Sequence, residues 1–292
     1  MKKYSKDKLK LRRGIKVLII ILAIIAILCV GVLLISFLNK NVVVEKIDDT
    51  PSNVSDDVAK NSTPILINNL IVGGVYDKKW VASEKYYINS KNGENTEVDA
   101  YSKTGKMGKY NVGKVSKDSN TSSIYASISK QNLINEYFAV ATSENNVMPN
   151  PANKIINIDE SYIKDVEKAL GIYRIFNMSV KITEVYDVSL TGNEKGYLIF
   201  ATNEVNKGHG AYSAAIYVSN TGKRSLIKYN YVNNKENSEN WPIYSFGFVA
   251  DLNNDGTNEV LIQETKEFEA KYDVLEYKNN KFYEIMSSVA KE

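Results

Sequence analysis

The sequence of 292 residues contains one cysteine, Cys29, and one histidine, His209. A single thiol excludes an intramolecular disulfide, and a lone imidazole argues against histidine-rich metal sites and most thiol chemistry. Sixteen Gly and five Pro are too few for a collagen-like or low-complexity chain. Since 43% of the residues are hydrophobic and 24% are charged, the chain has the composition of a folded globular protein.

Net positive charge is confined to the N-terminal tail. Residues 1–16 contain eight Lys or Arg and one acidic residue, Asp7, which gives that tail a local charge of +7. The whole chain carries +3, so the remaining residues sum to −4. Nucleic-acid recognition needs a basic face on the folded part of a protein, and this distribution argues against it for the bulk of the chain.

A run of 22 residues without a charge, residues 17–38, follows the basic tail. At about 1.5 Å per residue, a helix of this length spans the roughly 30 Å of hydrocarbon in a bilayer. A cleaved signal peptide would have a shorter apolar region, and a lipoprotein would need a small residue before Cys29, where Leu28 stands. A pilin would carry a Glu early in the apolar helix. We therefore predict an uncleaved signal anchor with residues 1–16 in the cytoplasm and residues 39–292 outside.

Beyond this anchor, residues 39–63 mix charges, Ser and Asn without apolar periodicity, which predicts a stalk. From residue 64, short runs rich in β-branched and aromatic residues recur, beginning with ILINNLIV. They predict an antiparallel β unit over residues 64–148, with turns at sites such as Gly73-Gly74. One amphipathic helix is predicted from Asp159 to Leu170, since acidic residues open it and Gly171 suits its C-terminal cap.

Residues 149–292 contain an internal repeat. The run DVSLTG at Asp187, followed by the strand LIFAT, recurs 64 residues later as DLNNDG at Asp251, followed by LIQET. Each copy has one predicted strand before the turn and two further strands after LIFAT or LIQET, so each forms a four-stranded antiparallel meander similar to a propeller blade. The sequence therefore predicts a mainly β fold with an N-terminal transmembrane helix, an antiparallel β unit, two blade-like meanders and one short helix.

The turn of the second copy carries the one motif with clear chemistry. Side-chain oxygens fall at loop positions 1, 3, 5 and 9, which are Asp251, Asn253, Asp255 and Glu259. Calcium takes six to eight oxygen ligands at about 2.3–2.6 Å, and Gly256 allows the sharp turn that brings alternate residues to one centre. An EF-hand would need Glu at position 12, where Ile262 stands, so the loop belongs to a hairpin. The alternative is an Asp-Gly hairpin turn that needs no metal.

Between the strands SFGFVAD and EVLIQ, this loop resembles the FG-GAP or VCBS repeat of integrin-α-type propellers and of many bacterial surface proteins. The resemblance implies a calcium site formed by Asp251, Asn253, Asp255 and Glu259, with the carbonyl of Thr257 as a further ligand. It also implies a role in adhesion or ligand binding. The family usually has Asp where Glu259 stands. The first copy has Ser189, Thr191 and Lys195 at positions 3, 5 and 9, and we expect no metal there.

Two blades cannot close a propeller. The predicted fold is therefore either an open β assembly or one that the N-terminal β unit completes. The lack of disulfides fits an envelope protein of a Gram-positive bacterium at least as well as a cytosolic protein, and the bias toward Asn, Lys, Ile and Tyr is consistent with an AT-rich bacterial genome. We predict a single-pass cell-membrane protein whose extracellular part binds a protein or polysaccharide of the envelope or beyond it.

Two other functions stay open at this point. The first is a cell-wall-active hydrolase that uses paired carboxylates, for which Glu264, Glu267 and Glu269 are candidates. The second is a structural subunit of a membrane complex.

Catalysis by His209 is not predicted, because it lies in a Lys-Gly-His-Gly turn and no nucleophile elbow is present. The aromatic residues fit either of two roles, sugar-stacking platforms or ordinary strand positions; they are Trp80, Trp241 and the twenty Tyr. We predict that the chain is not an enzyme.

Overall fold

The computed structural model describes residues 45–46, 62–88, 94–102, 105–128, 138–141, 152–171, 179–203, 211–232 and 241–291. The chain divides into two compact units, residues 1–41 and 42–292, and every described residue belongs to the second. No helix among these residues is long and apolar enough to cross a membrane. The predicted membrane span at 17–38, most of the predicted stalk and His209 lie outside the described residues.

The first strand, β1 (Glu45–Lys46), belongs to a sheet that the C-terminal strands complete. The next strands are β2 (Thr63–Ile67), β3 (Leu70–Tyr76), β4 (Lys79–Ala82), β5 (Glu97–Ser102), β6 (Gly105–Lys117), β7 (Ile124–Ile128) and β8 (Phe138–Ala141), with a short helix α1 (Lys85–Ile88) after β4. They pair in the order β2-β8-β5-β6-β7-β3-β4, and β3 also pairs with β2. The sheet is therefore barrel-like, and its described pairings are antiparallel as predicted.

The hairpin between β2 and β3 corrects two predictions. Asn68 and Asn69 have φ of 47° and 68°, as a two-residue type I′ turn requires, so ILINNLIV forms two strands and not one. Gly73 and Gly74 lie inside β3 and do not form the predicted turn. A Cβ on Gly74 would clash with the hydroxyl of Tyr86 and with the carbonyl of residue 63, so the glycine is needed for close packing.

The remaining elements form the C-terminal part of the fold. They are β9 (Asn153–Lys154), α2 (Glu160–Leu170), β10 (Lys181–Ser189), β11 (Lys195–Thr202), β12 (Ala211–Ser219), β13 (Arg224–Val232), β14 (Ile243–Ala250), β15 (Glu259–Lys266), β16 (Glu269–Lys278) and β17 (Lys281–Lys291). One sheet has the order β13-β12-β11-β10-β9 and the other β1-β17-β16-β15-β14. Both predicted four-stranded meanders are present. Within the predicted stalk, β1 adds a parallel edge strand to the second meander.

Helix α2 begins and ends where the sequence predicts. The Asp159 side chain accepts a hydrogen bond from the Ser161 N–H at 2.7 Å, and Gly171 ends the helix with φ of 57°. A carboxylate cap at the first turn also suits the helix dipole. The apolar face of α2 buries Val166 and Leu170 against the first meander.

The hydrophobic clusters show four stacked layers. Helix α2 covers one face of the β10–β13 meander, and the other face packs against the β14–β17 meander. The barrel-like sheet covers the outer face of the second meander and has its own apolar cluster. Consequently β12 is buried along its whole length. The two blade-like meanders thus need no closed propeller, because α2 and the barrel-like sheet cover their outer faces.

The strand register refines the predicted repeat. Each meander has a β-bulge in its first strand, at Thr183 and at Gly247, and these positions keep the predicted spacing of 64 residues. The two turns differ in length more than the repeat in the sequence predicts. β10 continues past Asp187 to Ser189 and leaves only residues 190–194 in the first turn, whereas the second turn comprises residues 251–258. Asp187 is therefore a strand residue and not the first residue of a metal-type loop.

A buried ionic cluster joins the two meanders. Lys228 of β13 lies 2.8 Å from Asp273 of β16 and 3.0 Å from Glu284 of β17. Lys271 also lies 2.9 Å from Asp273. The Ser287 hydroxyl donates a hydrogen bond to the Asp273 carboxylate at 2.7 Å. Burial alone would raise the pKa of the Asp273 carboxyl, but the two ammonium groups and their hydrogen bonds outweigh it, and the pKa is lowered. The cluster therefore holds a fully buried charge in its ionised form.

Replacement of Asp273 by Ala should lower the free energy of unfolding by about 3–5 kcal/mol, since it leaves buried ammonium charge without its main partner. The measurement is urea unfolding of the purified protein at neutral pH. Lys164→Ala is the control, because Lys164 lies in an exposed helical pair, 3.5 Å from Glu160, and should change the same quantity by less than about 0.5 kcal/mol. Equal effects of the two substitutions would contradict the role given to the cluster.

Candidate functional site

The predicted calcium loop, residues 251–258, connects the first two strands of the second meander. Leu252 and Asn253 are buried, with 1% and 2% of their surface exposed, and anchor the loop to the core. Asn254 and Gly256 have φ of 57° and 91°. These left-handed positions suit Asn and Gly and let the chain reverse tightly enough for alternate side chains to approach one another.

The structure brings three of the predicted ligand side chains together. Asp251 accepts hydrogen bonds from the N–H of Asp255 at 3.1 Å and of Gly256 at 2.9 Å. The Asn253 side-chain oxygen accepts from the Asp255 N–H at 3.1 Å, and its amide donates to the Asp255 carboxylate at 3.1 Å. The Asp255 carboxylate also accepts from the Thr257 N–H at 2.8 Å. The side-chain oxygens thus hold the loop in its turn conformation by accepting hydrogen bonds from the N–H groups of its own backbone.

Within the described part of the chain, no group of three or more His, Cys, Asp or Glu side chains could hold a metal ion. The predicted ligand set includes the side-chain amide of Asn253 and the carbonyl of Thr257, which are oxygen donors of other kinds. The carboxylates of Asp251 and Asp255 point at backbone N–H groups. In this arrangement the two carboxylates serve to hold the backbone of the loop.

Glu259, the last predicted ligand, is the first residue of β15 and is completely buried. Its Oε2 accepts a hydrogen bond from the Leu252 N–H at 2.8 Å, whereas its Oε1 is buried without a hydrogen-bond partner. Burial raises the pKa of this carboxyl well above its usual range. The Leu252 N–H opposes that shift, and the charges of Asp255, Asp251 and Glu276 add to it. A cation coordinated by Oε1 would satisfy the unpaired oxygen and offset this repulsion.

Two residues near the loop were not predicted. Glu276 lies on β16, where burial raises its pKa, Lys278 opposes the shift, and the charge of Asp255 increases it. Asn258 connects the loop to the first meander through two hydrogen bonds. Neither contact has a local signal in the sequence, because both depend on the stacking and pairing of strands. The sequence shows only that Asn258 is position 8 of the loop, between the predicted ligand positions 7 and 9.

The turn of the first meander is closed without acidic ligands. The Ser189 hydroxyl donates to the Thr191 carbonyl at 2.8 Å, and the Thr191 hydroxyl accepts from the Glu194 N–H at 3.1 Å. The Glu194 carboxylate accepts from the hydroxyls of Tyr217 at 3.0 Å and Tyr277 at 3.4 Å. Hydroxyl groups here take the place that acidic and amide oxygens have in the second turn.

The carboxylates considered for a hydrolase lie around the β15–β16 hairpin. Glu264 forms an ion pair with Lys266 at 3.2 Å. Glu267 lies in the exposed turn, and Glu269 begins β16. They are neighbours along a surface hairpin, and Glu264 is neutralised by an adjacent lysine.

The two tryptophans are both partly buried. Trp80 packs against the cluster between the barrel-like sheet and the second meander, so its ring contributes to the core. Trp241 is half-buried, and its indole N–H is buried without a hydrogen-bond partner. At Trp80 the structure therefore favours a packing role over a sugar platform.

Glu259→Gln should stabilise the protein in the presence of chelator, because the amide keeps the shape and an acceptor for the Leu252 N–H, and it replaces a carboxyl that at pH 7 must either take up a proton or stay charged inside the core. The measurement is the urea midpoint at pH 7 in chelator for the variant and the unchanged protein. A midpoint clearly below that of the unchanged protein would mean that the Glu259 carboxylate is compensated by partners that the glutamine loses.

Comparison with protein-family models, with curated proteins and with solved structures gives no match to this chain.

Proposed function

We propose that this protein is a single-pass, membrane-anchored binding protein of a bacterial cell surface, with a structural calcium site at residues 251–259. One observation carries the calcium part of the proposal. The completely buried Glu259 leaves Oε1 without a hydrogen-bond partner, while its Oε2 accepts from Leu252 inside the loop and the charges of Asp255 and Asp251 act on its carboxyl. A buried, unpaired carboxylate oxygen is costly. A proton removes the charge when no metal is bound, and a divalent cation would stabilise the carboxylate form.

The chemistry of the donor set favours calcium over softer metals. Carboxylate, amide and backbone carbonyl oxygens are hard ligands, which suit calcium and magnesium, and the loop offers no thiolate or imidazole. A flexible set of mixed oxygens suits the larger ion, since magnesium demands near-ideal octahedral geometry at about 2.1 Å. Glu259 would bind through Oε1 while Oε2 keeps its hydrogen bond to Leu252.

Anchoring rests on the uncharged run of residues 17–38 behind a tail with a local charge of +7. The part beyond that run is acidic overall, without disulfides and rich in β-structure. Such a stack of sheets offers broad faces and edges, which suit the binding of a protein or a polysaccharide of the envelope. A hydrolase is less well supported, because Glu264, one of its candidate carboxylates, forms an ion pair with Lys266.

Calcium should raise the thermal unfolding midpoint of the full-length protein in detergent. Binding to the folded state alone stabilises it by about 2.7 kcal/mol when calcium is a hundredfold above its Kd. The measurement is circular dichroism on heating, with millimolar calcium and with chelator. Asp255→Ala should abolish the difference between the two conditions, because it removes a ligand at the centre of the loop.

Thr191→Ala is the matched control for that experiment. It removes a hydroxyl that accepts from the Glu194 N–H in the first turn and should lower stability by about 0.5–1.5 kcal/mol in both conditions alike. The calcium increment should therefore stay unchanged. Identical midpoints of the unchanged protein with calcium and with chelator would show that residues 251–259 form an ordinary hairpin turn.

The orientation of the protein is tested separately. Because basic residues flank the apolar run on its N-terminal side, we expect the C-terminus outside the cell. A C-terminal tag should be removed when intact cells are treated with protease, while a cytoplasmic control protein stays whole. Protection of the tag under conditions that cut a known surface protein would contradict this orientation.

A further inference from the structure

We infer that calcium in the 251–259 loop clamps the two meanders together, so that the metal controls the stiffness of the first meander as well as that of its own hairpin. The inference rests on the proposed calcium site. It concerns the contact between the second turn, residues 251–258, and the first turn, residues 190–194, which we call the turn junction.

Asn258 forms the turn junction. Its backbone N–H donates to the Leu190 carbonyl at 2.7 Å, and its side-chain amide donates to the Ser189 carbonyl at 2.8 Å. Both acceptors are backbone groups at the end of β10, and Leu190 is completely buried. Two donors from one residue thus hold two successive carbonyls, which fixes both the distance and the orientation of the turns.

Calcium would act on this contact through the order of residues in the loop. Asn258 lies between Thr257, whose carbonyl is a proposed ligand, and Glu259, whose unpaired Oε1 is the ligand that carries the calcium proposal. A metal bound by both neighbours would restrict the backbone on each side of Asn258. Its two donors would then be held toward the first turn at a lower entropic cost, since the ordering is already provided by the metal.

The first turn transmits this restriction further. Glu194 accepts from the hydroxyl of Tyr217 on β12 and from that of Tyr277 on β16. The Asn220 N–H also donates to the Lys195 carbonyl at 2.8 Å. The first turn is thus connected to both sheets. A fixed turn junction therefore disfavours opening of the β10–β11 hairpin, which lacks metal-type ligands of its own.

The test is hydrogen exchange, followed by mass spectrometry, on the full-length protein in detergent with calcium and with chelator. With calcium at a hundredfold excess over its Kd, exchange should slow by up to about a hundredfold, both at residues 251–259 and across the β10–β11 hairpin. Slowing at residues 251–259 alone would overturn the clamp and leave the calcium site intact. No slowing at either place would overturn both the clamp and the proposed site.

Asn258→Ala identifies the residue responsible. It removes the side-chain donor to Ser189 and no proposed calcium ligand, so calcium should still slow exchange at residues 251–259 while its effect on β10–β11 falls to less than about threefold. Asn254→Gly is the matched control, because Asn254 is an exposed, non-ligand position of the same loop with positive φ, and it should keep both effects. An unchanged calcium effect on β10–β11 in Asn258→Ala would overturn the clamp.

Discussion

Burial of both faces of the β14–β17 meander is the constraint on which the rest of the structure depends. Both faces of this four-stranded sheet carry apolar side chains, and each face must be covered by another layer. One face meets the first meander, where the rings of Tyr186 and Phe246 stack with centroids 4.0 Å apart. The other meets the barrel-like sheet, where Gly73 of β3 approaches Met286 of β17 so closely that a Cβ would clash with its sulfur. The layered fold follows from covering both faces.

Polar groups inside such a stack are costly unless they are paired, and the two buried carboxylates of the second meander differ in this respect. Asp273 has two lysines and a hydroxyl around it, and its pKa is lowered despite its burial. Glu259 has one backbone N–H and acidic neighbours, and its pKa is raised. The first group joins the meanders as a complete ionic cluster. The second is surrounded by acidic groups, and no basic side chain is among the groups that shift its pKa.

The two turns of the repeat close the same framework of strands with different side chains. Equivalent β-bulges at Thr183 and Gly247 indicate a shared strand geometry. In the first meander the strands pair to Ser189 and the short turn is closed by hydroxyl groups. In the second the pairing stops at Ala250 and the longer loop collects acidic and amide oxygens. Stacking of the meanders then brings the turns into contact through Asn258.

Local signals in the sequence were sufficient for much of this. Alternating β-branched and aromatic residues marked the strands, Asp159 and Gly171 marked the ends of α2, and spacing alone identified the side chains of the 251–259 loop. These features depend on near neighbours in the chain, whose geometry follows from backbone periodicity and turn chemistry.

Only the tertiary structure decided the rest. The role of Gly73 and Gly74 inside β3, the partners of Asp273, the unpaired oxygen of Glu259 and the contact of Asn258 with the first turn all depend on residues distant in sequence. Strand register and layer order determine which of these residues meet, because a β-strand's side chains alternate between two faces and its pattern does not specify the partner of either. The sequence by itself thus determined the elements and the loop, whereas the burial that makes Glu259 a candidate ligand came from the stacking of the sheets.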